Sequence, residues 1–233
     1  MYSSPSRSWS LLLLILLIAI DLILIGFGIR ISMGFAGDPR FALAAERGYA
    51  ELYQYAKFLW IAIMLSWFGF EKRKVLYFVG SLLFFYFLLD DSLTLHESVG
   101  HSISEFFNLQ QAFDLRGQDF GELIVSVTVG TFFLVSGWLA YRHSDLLAQT
   151  IGFYILLGVI LLAAFGVGVD ILHNLLAGHF PWTNMPLGIL EDGGELIAAS
   201  IISWFVHSAG SQELSGLQIS SPLQALNRFP GRN

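Results

Sequence analysis

The chain has 233 residues, of which 55% are hydrophobic and only 13% charged, with a formal net charge of −6 and a mean hydropathy of +0.65. Soluble domains carry roughly 25% charged residues, so this balance belongs to the membrane class. The lack of cysteine excludes disulfides, thiolate ligands and a cysteine nucleophile, and the lack of a basic block argues against nucleic acid as a partner.

A helix that crosses a bilayer needs about 20 mainly apolar residues. The first such run, residues 11–29, is broken only by Asp21. It is longer than a signal-peptide core and long enough to span, so it reads as a retained first helix. Asp21 falls near mid-membrane and is expected to face other helices rather than lipid. Asp38-Pro39 then reads as an N-cap followed by proline at the first helical position. A second helix leading through Tyr49, Tyr53 and Tyr55 follows from it.

Six segments qualify as spans, at about 10–29, 52–70, 75–95, 123–141, 151–172 and 188–206. The last is the weakest, because Glu191, Asp192 and Glu195 crowd its first turns; without it there are five spans. Between the third and fourth, Ile103, Phe106, Phe107, Phe113 and Leu115 alternate with polar residues and suit an amphipathic segment in the interface. The predicted architecture is an all-α, six-span transmembrane bundle over 1–207, followed by a polar C-terminal tail at 208–233.

The cations set the orientation. Lys72, Arg73 and Lys74 join spans two and three, Arg142 joins four and five, and Arg7, Arg228 and Arg232 lie near the ends. Both termini are therefore expected to be cytoplasmic, against the contrary Arg30, Arg40, Arg47 and Arg116. An integral position in a bacterial inner membrane is the expected localisation.

The chemistry-bearing residues gather at the ends of spans three to six: Asp90, Asp91, His96, Glu97 and His101; Glu122; Asp170 and His173; Glu191, Asp192 and Glu195. Alternating span direction brings these four ends to one side of the membrane. On a continuous third helix, Asp90, Thr94, Glu97 and His101 share one stripe. Carboxylates mixed with imidazoles suit zinc, iron or manganese. Helical bundles hold metals with single carboxylates and Glu-x-x-His pairs, of which Asp170-x-x-His173 is a variant and Glu97-x-x-x-His101 a looser one. The expected ligands of a divalent metal ion are therefore Glu97, His101, Asp170 and His173. Asp90, Glu122 and Glu195 complete the shell or act as general base. The spacing matches neither a complete di-iron signature nor the zincin HExxH.

The bland reading of the same residues is helix caps, interhelical hydrogen bonds and charges at headgroup level. Glu191 and Asp192 also fit dipole stabilisation at a helix start, and Gly193-Gly194 fits close helix packing. His143 and His207 read as interfacial side chains, and His179 as a reserve ligand. Three functions remain open: a membrane-embedded metal-dependent enzyme acting on a lipid or hydrophobic substrate near the outer leaflet, a proton or divalent-metal transporter, and a noncatalytic subunit or assembly factor of a larger membrane complex. Membrane lipids, and for the third reading other membrane-protein subunits, are the expected partners. A haem held by His101 and His173 fits the neighbouring carboxylates poorly.

Overall fold

The computed structural model describes residues 5–111, 116–177 and 179–214, all helix and connecting turn with no strand among them. Phe113 and Leu115 of the amphipathic stretch, with Arg228, Arg232 and the tail from residue 215, lie outside the described residues. The principal helices are α1 (Pro5–Ser32), α2 (Tyr49–Lys72), α3 (Val75–Leu93), α4 (Leu95–Phe107), α5 (Gly117–Arg142), α6 (Leu146–Ala163), α7 (Asp170–Ala177) and α8 (Asn184–Leu214). Among the described residues, four stretches are long and apolar enough to cross a membrane: Trp9–Ser32, Val75–Leu93, Gly117–Arg142 and Leu146–Leu176. The chain thus has the make-up of an all-helical integral membrane protein.

The two long helices outside that set, α2 and α8, are the inner ones. α8 touches α1, α2, α6 and α7, and α2 forms a tight hairpin with α3. Ile61, Leu65, Phe84, Ala199 and Ile202 are fully enclosed where α2, α3 and α8 meet. A helix surrounded by other helices needs small and polar residues for close packing more than it needs lipid-facing bulk, which lowers its hydropathy. Gly193 and Gly194 serve that purpose, lying against Ile25 of α1 and the ring of Phe165.

Arg73 closes the α2–α3 hairpin by entering the left-handed region, at φ 54°, and its amide returns to the Gly69 carbonyl. Lys74 next to it pairs with Asp145 at 2.9 Å, and Asp145 caps α6 by accepting from the Ala148 amide at 3.1 Å. The 71–74 and 142–145 loops therefore share one end of the bundle. Ser10 of α1 bonds both Ser208 (2.5 Å) and the Trp204 indole (2.9 Å).

Three boundaries differ from the sequence expectation. Asp38-Pro39 opens only a single 3-10 turn, Pro39–Phe41, and α2 begins at Tyr49. α8 continues past residue 208 to Leu214. Most consequential, the third helix stops at Leu93. Thr94 takes φ 48°, in the left-handed region, and redirects the chain into α4. Asp90 holds that corner, its two carboxylate oxygens meeting the His96 amide at 2.9 Å and Nδ1 of the His96 ring at 3.0 Å. The continuous Asp90–Thr94–Glu97–His101 stripe is therefore broken at its second member.

A carboxylate-lined candidate site above an apolar cavity

At the end of the bundle away from the 71–74 loop, every neighbouring element contributes to one polar cleft of about 510 Å³. α2 supplies Glu51 and Gln54, and the end of α3 supplies Asp91. His96 and Glu97 come from α4, and Gln118 and Glu122 from α5, with Arg116 just before it. Asp170 and Asn174 come from α7, and Glu191, Asp192 and Glu195 from α8.

Glycines set the positions of several of these groups. α4 and α5 cross so closely at Gly100 and Gly121 that a methyl group on Gly121 would meet the Gly100 carbonyl. That crossing brings Glu97 and Glu122 to the same cleft. Between α6 and α7, residues Ala164–Val169 form a widened π turn containing Gly166 and Gly168. Such turns commonly mark functional places in helices. Here Gly166 lies directly against the carboxylate of Glu195, and any side chain in its place would push that carboxylate aside.

The carboxylates are oriented mainly by neutral partners. Gln54 donates to Glu195 at 2.8 Å, Gln118 to Glu122 at 2.8 Å, and Asn174 to Asp170 at 3.0 Å. The Tyr55 hydroxyl lies between the Glu51 carboxylate and the Asp91 carbonyl. Arg116 is engaged by Asp119, at 2.6 Å, in a box that caps α5. Amides orient a carboxyl group without pairing it to a cation, so the cleft gathers many acidic groups around few basic ones. His96 supplies some compensation. Its hydrogen bond to Asp90 outweighs burial and raises the imidazole to about 9, so it carries a proton at neutral pH.

Of the four expected metal ligands, Glu97 and Asp170 line the cleft. His173 lies at its edge with Nδ1 3.2 Å from the Glu191 carboxylate. His101, one turn further along α4 than Glu97, lies outside the cleft; it is 59% exposed and paired with Glu105 at 3.2 Å. Of the expected supporting residues, Glu122 and Glu195 line the cleft and Asp90 supports His96. Among the described residues, no group of three or more acidic or histidine side chains stands close enough together to hold a metal ion as arranged. The amides Gln54, Gln118 and Asn174 had no separate signal in the sequence, although Asn174 is four residues from Asp170 and Gln118 four from Glu122, within reach along one helix face.

Adjoining the cleft is a second cavity of about 410 Å³, lined by Phe58, Leu83, Phe87, Phe133, Leu134, Val159 and Ile160. Asp91, His96, Glu122, Gly166, Asp170, Asn174 and Glu195 border both spaces. Carboxylates thus mark the boundary between a polar cleft and an apolar hollow between α3, α5 and α6.

The fold and the site together define a helical membrane protein with an acidic cleft above a hydrocarbon-lined cavity. The chain belongs to the family described as Domain of unknown function (DUF8692), whose model matches residues 9–209. No curated protein and no solved structure matches it.

Proposed function

We propose that the chain is a membrane-embedded, metal-dependent enzyme acting on a lipid-like substrate. The observation that carries this reading is the shared boundary: one space suits a polar head, the other suits a hydrocarbon chain, and carboxylates stand where they join. Both volumes fall in the usual range of ligand sites, roughly 300–1,000 Å³. In this reading Glu122, Asp170 and Glu195 would draw together around a cation and exchange protons with the substrate's polar end. With His101 outside the cleft and His96 protonated, the nearby donor set is mainly carboxylate, which among zinc, iron and manganese favours manganese. Such an ion would act as a Lewis acid at the polar end of the substrate.

The test is metal content after purification in mild detergent and separate equilibration with manganese, zinc and iron(II). Wild type is expected to retain manganese, and a Glu122→Gln, Asp170→Asn double variant is expected to lose it while eluting as a folded protein. Retention of no metal by wild type, or equal retention by the variant, rejects the metal reading. The tail site is tested in parallel by Gly130→Leu. Gly130 borders the apolar cavity and a Cβ there meets nothing within 4 Å, so a leucine at this position is expected to take up part of the hollow. Lipid co-purifying with the protein should fall in that variant.

We further propose that α2 and α8 cross the membrane with the other four, in a bacterial inner membrane. The 71–74 and 142–145 loops would be cytoplasmic and the cleft would open on the opposite side. Shared placement of the two basic loops, held by Lys74 and Asp145, supports this. Single cysteines introduced at Lys72 and Trp182 should label from opposite faces of the membrane. Labelling of both from one face overturns the six-span arrangement.

A further inference from the structure

A separate set of polar groups lies inside the seam between α1, α2 and α8, and the cleft chemistry does not use it. At its centre Lys57 of α2 is enclosed, with 3% of its side chain exposed, and donates to Asp21 of α1 at 2.7 Å, to the Leu196 carbonyl at 2.7 Å and to Ser200 at 3.0 Å. All three ammonium protons are engaged. Asp21 is wholly buried and only one of its oxygens is engaged. The Tyr53 ring lies 4.3 Å from the Lys57 nitrogen, and its hydroxyl is buried without a hydrogen-bond partner.

Among the described residues, three buried side-chain polar atoms have no hydrogen-bond partner: Asp21 Oδ2, Tyr53 Oη and His207 Nδ1. Buried polar atoms are nearly always paired, so each demands an account. All three belong to this seam. Two surround the ion pair, and the third is on the α8 face that carries Ser200, Ser203 and His207 at helical spacing. Toward the cleft, Gln54 is three residues before Lys57 and bonds Glu195. Toward the other end, His207 faces the Trp60 ring at 6.4 Å, and Ser208 beside it meets Ser10 of α1.

We propose that this seam conducts protons between the acidic cleft and the opposite end of the bundle. Successive polar groups on α8 are separated by roughly 4.5–6 Å along the helix, too far for direct bonds and suited to single bridging waters on the unpartnered atoms. At the pair, the Lys57 ammonium passes a proton across its hydrogen bond to Asp21, leaving an amine and a carboxylic acid. The desolvation of two buried charges offsets much of their attraction, which brings the neutral pair close in energy to the ionic one. The amine then takes a proton from the cleft side through the Tyr53 hydroxyl, and the Asp21 carboxyl turns and releases its own toward Ser203 and His207. One proton has moved, and the pair is restored. Buried acidic and histidine groups inside membrane proteins commonly serve such relays.

The experiment is proton uptake into liposomes containing the full chain, reported by a trapped pH-sensitive dye, with a potassium gradient and valinomycin supplying the voltage. Wild type should take up protons faster than protein-free liposomes. The charge-balanced double variant Asp21→Asn, Lys57→Met should fall to the protein-free rate. Tyr53→Phe removes only an unpartnered hydroxyl, so it leaves the fold intact, and it and His207→Phe should each slow uptake by about tenfold or more. Uptake no faster than in protein-free liposomes for wild type, or unchanged in both Tyr53→Phe and His207→Phe, overturns the proposal even if the double variant fails to fold. Manganese retention by Tyr53→Phe should equal wild type, which separates this route from the cleft's proposed metal chemistry.

Discussion

The acidic cleft and the α1–α2–α8 seam use similar residues in opposite ways. In the cleft, carboxylates from six helices face one space, several of them oriented by amides, with few cations to match them. In the seam, one aspartate and one lysine neutralise each other where neither reaches solvent. The difference is access to water. A cleft open at its rim can leave carboxylates uncompensated because water and ions reach them. A seam whose charged pair is shut off from bulk solvent tolerates a charge only with its partner in place.

The largest expected effect follows from that contrast. Lys57→Met strands the Asp21 carboxylate in the core, and breaking a buried pair from one side costs about 3–5 kcal/mol. Thermal unfolding in detergent should show a large loss for this single variant, and substantial recovery when Asp21→Asn is added. In the cleft the contrast predicts the reverse: removing a charge, as in Glu97→Gln, relieves repulsion and leaves the unfolding temperature equal or higher. A Lys57→Met variant as stable as the double variant would mean that the seam is hydrated enough to behave like the cleft.

The next effect concerns His96, which belongs to the cleft and yet is paired as in the seam. Its imidazole is raised to about 9 by its bond to Asp90, against 6.5 for an ordinary histidine. The folded state therefore binds the proton more tightly than the unfolded one. The stabilisation is fully present below about pH 6.5 and is lost as pH rises through about 9. With 34% of the ring exposed, water screens the pair, so its worth is held to about 1–2 kcal/mol. His96→Gln should lower the unfolding temperature at pH 6 and match wild type near pH 10. An NMR titration that placed this imidazole near 6.5 would remove the protonated pair.

The contrast also explains what was legible in the sequence. The lipid-facing helices α1, α5 and α6 announce themselves by apolar length, and the crowding of acids near the ends of α3, α5, α7 and α8 needs only alternating span direction. The inward-facing Asp21 was visible as a lone acid in an apolar run. Its partner was not, because Lys57 is 36 residues away on a helix that meets α1 only after folding. The corner at Thr94 was hidden for a different reason. A left-handed residue is usually glycine, and threonine gives no such signal. That single corner separates Asp90 from the stripe it was expected to share with Glu97 and His101. His207, read as an interfacial side chain, has its Nδ1 buried against the seam for the same reason that Lys57 was missed: its surroundings come from another helix.

The smallest expected effect lies at the far end of the bundle, where neither rule of the comparison applies because both partners meet water. Asp145 does two things there: it caps α6 through the Ala148 amide and pairs with Lys74 across the loops. The Lys74 hydrogen bond, aided by the cap, lowers the Asp145 carboxyl from its ordinary value. A depressed carboxylate contributes stability above its unfolded value near 4, and that contribution is lost as pH falls through its lower folded value. The Asp145 side chain is 57% exposed, so the ion pair itself is screened and worth at most a few tenths of a kcal/mol, while loss of the cap costs about 1 kcal/mol. Asp145→Asn should then be nearly silent, since asparagine caps as well and loses only the charge, whereas Asp145→Ala should lower the unfolding temperature modestly at pH 7. Lys74→Ala should resemble Asp145→Asn, and added salt should erase what remains of both. If Lys74→Ala destabilises as much as Asp145→Ala, the loop pair is shielded from water, and this end of the bundle follows the rule of the seam.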